Sequence, residues 1–276
     1  MPFPQRRFEL LPWPEVRQAA VRPGATVVWP FGAVEQHGPH LPLATDALFA
    51  DRILDAVLAG LDEDAPIWRL PLQSLGFSPE HLGFPGTLSL SADLVLRLVE
   101  SVGAQLAELG IRRLVLFNAH GGQIALLQTA ARQLRSQSAS MAVLPCFLWS
   151  GVGGLDRWIS APELEGGLHA GQAETSLMLH LHPELVGDQR PIDGAHGSST
   201  PASPPEGWSL EGAAPCAWLT TDLSRTGVIG DSSEASASIG AALEQALIQH
   251  WQQRFCSLLN SDWPPVSPVD GAPSGC

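Results

Sequence analysis

Thr26-Val-Val-Trp-Pro-Phe-Gly-Ala-Val-Glu-Gln-His-Gly-Pro-His-Leu-Pro-Leu-Ala-Thr-Asp46 joins an apolar run to a dense set of possible metal ligands. Residues 26–34, rich in valine, read as a buried strand. A carboxylate, two imidazoles and a second carboxylate follow at Glu35, His37, His40 and Asp46. If the strand continues through Gln36, then Glu35 and His37 project to one side, because strand side chains repeat every two residues. Gly38 and Pro39 then turn the chain, and Asp46 heads the next apolar-periodic segment. The end of a strand is the usual address of a ligand site in an α/β fold. Each residue taken singly has a plainer account: a surface carboxylate, a loop histidine, a helix N-cap. Taken together, the four favour a common site.

The pattern continues outward from this stretch. Residues 46–61 have helical spacing, and Trp68 to Leu72 reads as a short second strand. Residues 76–87 form a Gly- and Pro-rich loop, and Leu88 to Leu90 reads as a brief strand. Residues 92–109 are an amphipathic helix with Ser91 as N-cap and Gly110 just past its end. Arg112 to Asn118 is a buried strand that runs into Ala119-His120-Gly121-Gly122-Gln123, followed by a helix over about 123–136. Met141 to Phe147 is another strand. Strands alternating with helices predict an α/β fold of three layers, α/β/α, around a mostly parallel sheet.

Residues 149–167 lose periodicity, which suits a lid or active-site loop, and 169–180 return to helical spacing. Residues 187–222 read as a long surface excursion or an oligomer contact. A last helix runs from Glu234 to about Leu258. Residues 1–260 are expected to form one domain and the Pro-rich 261–276 a disordered tail.

The composition narrows the function classes. Of 276 residues, 45% are hydrophobic and 16% charged, which describes a globular chain with a large core. The formal net charge of −13 argues against nucleic-acid or anionic-membrane binding. All 15 cationic residues are arginines and there is no tyrosine, which removes Schiff-base lysine and tyrosine acid chemistry. Cysteines 146, 216, 256 and 276 lack a paired spacing and read as reduced thiols. The N-terminal residues have no apolar signal core, so a soluble cytoplasmic protein is expected.

Three loops converge if all leave one sheet edge: 35–46, 118–123 and 169–174. They pool Glu35, His37, Asp46, His120 and Glu174, a mixed carboxylate and imidazole set without cysteine, which favours an open catalytic site over a structural zinc site. Two imidazoles and three carboxylates can hold two divalent ions if one carboxylate bridges, and paired ions activate a water and polarise a carbonyl or phosphoryl oxygen. Gly121 and Gly122 let the backbone approach a ligand; an ordinary turn into a helix explains them equally well. On a regular helix His169 and Glu174 do not share a face, so His169 falls at the helix edge and Glu174 inside. Glu174 is also compatible with a plain helix surface. His40 and His81 divide between orienting and direct roles, while His180, His182, His196 and His250 read as non-functional. Ser78 and Glu80 are candidate substrate contacts in a loop that also reads as a structural turn, and Trp149 and Trp158 are candidate pocket walls or packing residues.

The segments GAVEQHGPHLPLATD, SPEHLGFPGTLSL, NAHGGQ, HAGQAETSLML and TGVIGD, in this order, resemble the creatininase (creatinine amidohydrolase) family from about residue 25 to 245. The resemblance implies a two-metal hydrolase, with zinc, manganese or iron, that cleaves C–N bonds of cyclic or formyl amides or small peptides, and a homohexamer. It carries metal-ligand roles onto Glu35, His37, Asp46 and His120, with Asp46 bridging, and a proton-handling or substrate-holding role onto His169. Creatininase proper has a glutamate where this chain has Gly122, so the fifth ligand is sought elsewhere, at Glu174. The glycine-rich NAHGGQ is nearer to branches that deformylate pyrimidine intermediates or trim a cofactor-precursor peptide, most of which have asparagine in place of Gln123. That counts against creatinine as substrate.

The expectation is a dinuclear amidohydrolase in which a metal-bridging hydroxide attacks an amide carbonyl while His169 or Glu174 protonates the leaving nitrogen. Its rivals are a metal-dependent phosphoesterase and a non-catalytic oligomeric metal-binding protein.

Overall fold

A computed structural model describes residues 6–194 and 204–265. The segment 195–203 with its His196, and the tail beyond residue 265 with Cys276, therefore lie outside the described residues. The chain opens with helix α1 (Trp13–Ala20), then strand β1 (Thr26–Phe31), helix α2 (Thr45–Ala59) and strand β2 (Ile67–Arg69). Helix α3 (Ala92–Leu109), strand β3 (Arg113–Asn118), helix α4 (Ile124–Gln137) and strand β4 (Ala142–Phe147) follow. The four strands form one parallel sheet in the order β2-β1-β3-β4. Helices α5 (Ala161–Gly166), α6 (Gln172–Leu181), α7 (Thr220–Leu223) and α8 (Ala237–Leu259) complete the chain, with a two-residue antiparallel ladder of β5 (Ile192–Asp193) and β6 (Gly230–Asp231).

The pleat sorts the strand residues into two cores. Val27, Trp29, Phe31, Leu114 and Leu116 pack with α1, α3 and α4 on one face. Val28, Val115 and Phe117 pack with α2, α6 and α8 on the other. The three-layer expectation therefore holds, and strands apolar on both sides are what a sheet covered on both faces requires. No helix among the described residues is long and apolar enough to cross a membrane.

Local departures from expectation have local causes. β2 covers Ile67–Arg69 rather than reaching Leu72. The Thr26 amide of β1 faces β2, donating to Pro66, so by alternation position 30 would continue that ladder. Pro30 has no N–H to do so, and Pro71 removes another donor. Leu88 to Leu90 is not a strand: it is extended and makes only isolated bonds, Leu88 N–H to Val34 and Leu90 N–H to Gly76. The segment 149–167 contains the short helix α5, capped by the Ser160 hydroxyl, which accepts from Glu163 N–H. Ser91 does precede α3, but its hydroxyl donates to Asp93 rather than capping the backbone.

Gly32 sets how closely α2 approaches the end of β1. A β-carbon there would lie 2.4 Å from the Ala47 Cα and 2.5 Å from the Ala47 nitrogen, both backbone atoms that cannot rotate away. Gly32→Ala should therefore destabilise the fold by about 3 kcal/mol, the upper end for overpacking, read as a lowered urea midpoint. An unchanged midpoint would show that α2 can shift freely.

Candidate active site

The C-terminal edge of the sheet delivers two of the expected loops directly. β1 leads to Glu35 and His37 and then to α2, whose first turn carries Asp46. β3 leads to His120, where a 3-10 turn (Gly121–Gln123) opens α4. The third loop follows no sheet strand. It is pinned by a two-way backbone pairing of His169 with Ile229 and by His169 Nε2–H donating to the Gln36 carbonyl at 2.6 Å.

These loops bring Glu35, His37, Asp46, His120, His169 and Glu174 into one buried cluster. His120 Nδ1 lies 3.2 Å from Glu35 Oε1 and 3.3 Å from Asp46 Oδ2, and His37 Nε2 lies 3.5 Å from Asp46 Oδ1. His169 Nδ1 lies 3.9 Å from Glu35 Oε1. Asp46 is not an N-cap, since Ala44 occupies that position. Glu174 sits in the first turn of α6 and is not a free surface group: its Oε2 accepts from the Ala170 N–H at 2.7 Å. Ala170 is held at φ 53°, a left-handed conformation that costs a non-glycine residue energy. The strained residue lies between His169 and Glu174 and bonds to the latter.

Backbone carbonyls set the state of each imidazole. His37 Nδ1–H donates to the Glu35 carbonyl at 3.1 Å and His120 Nε2–H to the Phe77 carbonyl at 2.9 Å. With His169 donating to Gln36, three rings each keep one lone pair directed at the carboxylates, the arrangement metal-binding histidines use. Glu35 Oε2, His37 Nε2 and Asp46 Oδ2 are buried without any hydrogen-bond partner. Orphaned polar atoms of this kind call for a missing partner, and a hard cation suits two carboxylates and an imidazole. Two donor groups share Asp46, namely Glu35-Asp46-His120 and His37-Asp46-Glu174; a third is Glu35-His37-His169. Within each group the donor atoms lie within 4.8 Å of one another.

The charges act as this crowding dictates. Burial disfavours a cationic His37, yet Asp46, Glu174 and Glu35 together raise it to about 9. His120 is likewise raised well above the ordinary histidine value by Glu35 and Asp46 against its burial. Burial raises Glu174 to about 7, with His37 opposing. Burial and the neighbouring imidazoles hold His169 well below its usual value, so it is neutral.

Other residues fall into place around the cluster. Ser78 is fully buried behind His120, 3.2 Å from its Nε2, so it backs the imidazole. Glu80 reaches the same nitrogen at 3.7 Å and is 13% exposed. Gly121 and Gly122 are exposed at the turn. His81 belongs to the cluster: its Nε2 lies 3.4 Å from Glu35 and its ring stacks on His169 at 4.1 Å. His40 bonds to the Thr175 hydroxyl at 2.8 Å, which in turn donates to the Ala170 carbonyl and steadies the turn before Glu174. Trp149 packs edge-on against Phe49 in the core. His180 pairs with Glu244 and His182 with Glu184, and His250 lies against Arg254 and Trp251, so none of the three enters the cluster.

Two further residues position the loops; the sequence shows Gln123 only as the last residue of the NAHGGQ motif and gives no sign of Glu163. Gln123 donates to Gly32 and Asn118 and accepts from Phe77 N–H, tying three loops together. Glu163 accepts from the Gln172 and Asp231 N–H groups, joining α5 to the start of α6.

A parallel sheet with a buried carboxylate and imidazole cluster at its C-terminal edge defines an α/β enzyme. The model of the creatinine amidohydrolase family matches residues 9–255, and the chain belongs to this creatininase family. It is a hydrolase acting on carbon–nitrogen bonds. The chain is 32% identical over 243 residues to a mycofactocin precursor peptide peptidase of Mycobacterium tuberculosis, covering 83% of this chain and 84% of that protein. It is 30% identical over 207 residues to a creatinine amidohydrolase of Pseudomonas putida, covering 66% of this chain and 74% of that one. A crystal structure of a creatinine amidohydrolase superposes with a TM-score of 0.72 at 25% identity, covering 95% of this chain and 99% of the other.

The Gln123 carboxamide bonds to three loops, so Gln123→Ala leaves the buried Gly32 carbonyl and Phe77 N–H without partners. A loss of about 1–3 kcal/mol is expected, measured by urea unfolding at neutral pH.

Proposed function

We propose that this chain is a dinuclear metal-dependent amidohydrolase, with Glu35, Asp46 and His120 holding one divalent ion and His37, Asp46 and Glu174 the second. The observation that carries this reading is the pair of donor groups sharing Asp46, each with donor atoms within 4.8 Å, together with the orphaned atoms of Glu35, His37 and Asp46. Zinc, manganese and iron all suit this oxygen and nitrogen donor set. Divalent ions in these positions supply Lewis acidity toward an amide carbonyl and lower the pKa of the attacking water.

The chain's own groups do the rest. His169 is neutral with Nδ1 free, so it accepts the proton that the water gives up on attacking the carbonyl carbon. It returns that proton to the nitrogen as the C–N bond breaks, and the products are a carboxylate and an amine. His81 steadies Glu35, and His40 through Thr175 steadies the turn that carries Glu174. Gly121 and Gly122 bound the substrate approach. Residues 1–260 act as one catalytic unit, and family likeness supports a cytoplasmic homo-oligomer.

The substrate is a small amide, formamide or peptide. Both the mycobacterial peptidases, which align over more of this chain, and the glycine at position 122 support a peptide or formyl amide over creatinine.

Metal analysis of the purified protein, with hydrolysis assays against creatinine, N-formyl compounds, small peptides and p-nitrophenyl phosphate with and without chelator, tests the reading. Asp46→Ala should lose both ions and His37→Ala one; two ions retained in Asp46→Ala would refute the bridging role. The metal-free protein should also show linkage between protons and ions. With His37 raised to about 9, the empty site holds a proton at pH 7 that an entering ion displaces. Affinity should rise with pH up to about 9, with proton release seen as buffer-dependent heat in calorimetry.

A further inference from the structure

Gln36 sits between Glu35 and His37 and is 4% exposed. Its carboxamide has one orientation. Oε1 accepts from the Gly38 N–H at 2.9 Å, and Nε2–H donates to the Gly227 carbonyl at 3.1 Å. Exchanging the two ends would set N–H against N–H and oxygen against oxygen. The second Nε2–H therefore points at His81 Nδ1, 3.0 Å away. Room for the carboxamide comes from Gly227, held at φ 88°. A β-carbon there would lie 2.0 Å from Gln36 Oε1 and 2.9 Å from its Cδ.

A ring nitrogen that faces an amide donor presents its lone pair, so His81 is neutral with its proton on Nε2. The Thr220 hydroxyl, 2.7 Å from Nδ1 and 3.0 Å from the Glu80 carbonyl, finds an acceptor in either. On the other side of the ring, Nε2 lies 3.4 Å from Glu35 Oε1 and 3.9 Å from Glu80 Oε1. His81 thus turns an N–H toward the carboxylates, whereas His37, His120 and His169 turn lone pairs toward them. In keeping with this, no group of possible ion donors among the described residues includes His81.

The main chain of Gln36 governs the neighbouring ring. Its carbonyl accepts His169 Nε2–H at 2.6 Å, which leaves His169 Nδ1 free. The two rings stack, with centroids 4.1 Å apart and planes 30° from parallel. Both approach one oxygen, Glu35 Oε1, His169 through its free Nδ1 at 3.9 Å.

We propose that Gln36 is a positioning residue that sets this stacked pair for opposite tasks: its carbonyl leaves His169 able to take a proton, and its carboxamide makes His81 a hydrogen-bond donor to Glu35. The His81 N–H engages Glu35 Oε1 and disfavours protonation there, so the proton released by the attacking water goes to His169. Glu35 Oε2, which has no hydrogen-bond partner, is left for an ion. The assignment deepens the amidohydrolase reading and rests on it for the origin of that proton.

Solid-state NMR of the zinc-loaded protein, with isotopically labelled histidine ring nitrogens, reads the tautomers directly. The two rings are assigned by the signals lost in His81→Asn and in His169→Asn. In the parent protein His81 should show a protonated Nε2 and an unprotonated Nδ1. Gln36→Glu, which accepts where the carboxamide donates, should move the His81 proton to Nδ1. It should leave His169 as it was, because the carbonyl at position 36 is retained. A proton on His81 Nδ1 in the parent, zinc bound to His81, or an unmoved His81 proton in Gln36→Glu would each overturn the assignment. The parent spectrum decides the matter even if that variant does not fold. Because the spectra are read without turnover, absence of any amide hydrolysis would be a separate result against the amidohydrolase reading.

Discussion

Glu35 and Asp46 are 1% and 2% exposed, and among the described residues every ion-pair partner of either is a histidine. Leaving a buried charge uncompensated costs on the order of 3–5 kcal/mol. Neutral imidazoles that spend their N–H groups on backbone carbonyls cannot supply the missing positive charge. They present lone pairs to the same carboxylates, which makes the cluster more electron-rich still. Without a cation it relieves itself by binding protons, which is why His37 and His120 are pushed upward despite burial. The site is therefore built as one half of an interaction.

The surrounding structure holds that unfavourable arrangement in register. Gly32 lets α2 close onto the end of β1, which brings Asp46 beneath His37. Gln123 ties the loop after β1 to the loops around Phe77 and Asn118, so His120 cannot drift from Glu35. Glu163 and His40 do the same for α6. One accepts from the backbone at its N-terminus, and the other acts through Thr175 on the strained turn at Ala170. Strain there persists because several bonds over-determine it.

The parts of this design visible in the sequence are those that depend on residue type at short range. The valine-rich run before Glu35, the alternation placing Glu35 and His37 together, and the Asn-Ala-His-Gly-Gly turn after β3 are local patterns. Asp46 and His120 follow from them. Glu174 came only from pooling ligand types, since its five-residue spacing from His169 defeats helical periodicity. Gln123 stood out only as a motif residue and Glu163 not at all, because a carboxamide or carboxylate that bonds backbone groups of distant loops has no local signature. That Ser78 turns inward was illegible for a similar reason: nothing in a Gly- and Pro-rich loop says which side chains do so. The short β2 could have been anticipated, since Pro30 and Pro71 both remove ladder donors where pairing stops.

The arginines complete the electrostatic picture by where they are not. With no lysine in the chain, only arginine could have offered the carboxylates a permanent cation. The two buried arginines are committed elsewhere: Arg69 to Asp51 and Asp55 of α2, and Arg113 to backbone carbonyls near residues 261–263. A guanidinium between Glu35 and Asp46 would pair with both and offset part of the cost of burying them. It would also fill the space and cancel the field that attract exchangeable cations. Keeping arginine out leaves the cluster dependent on what it binds, which a structural salt bridge would not be.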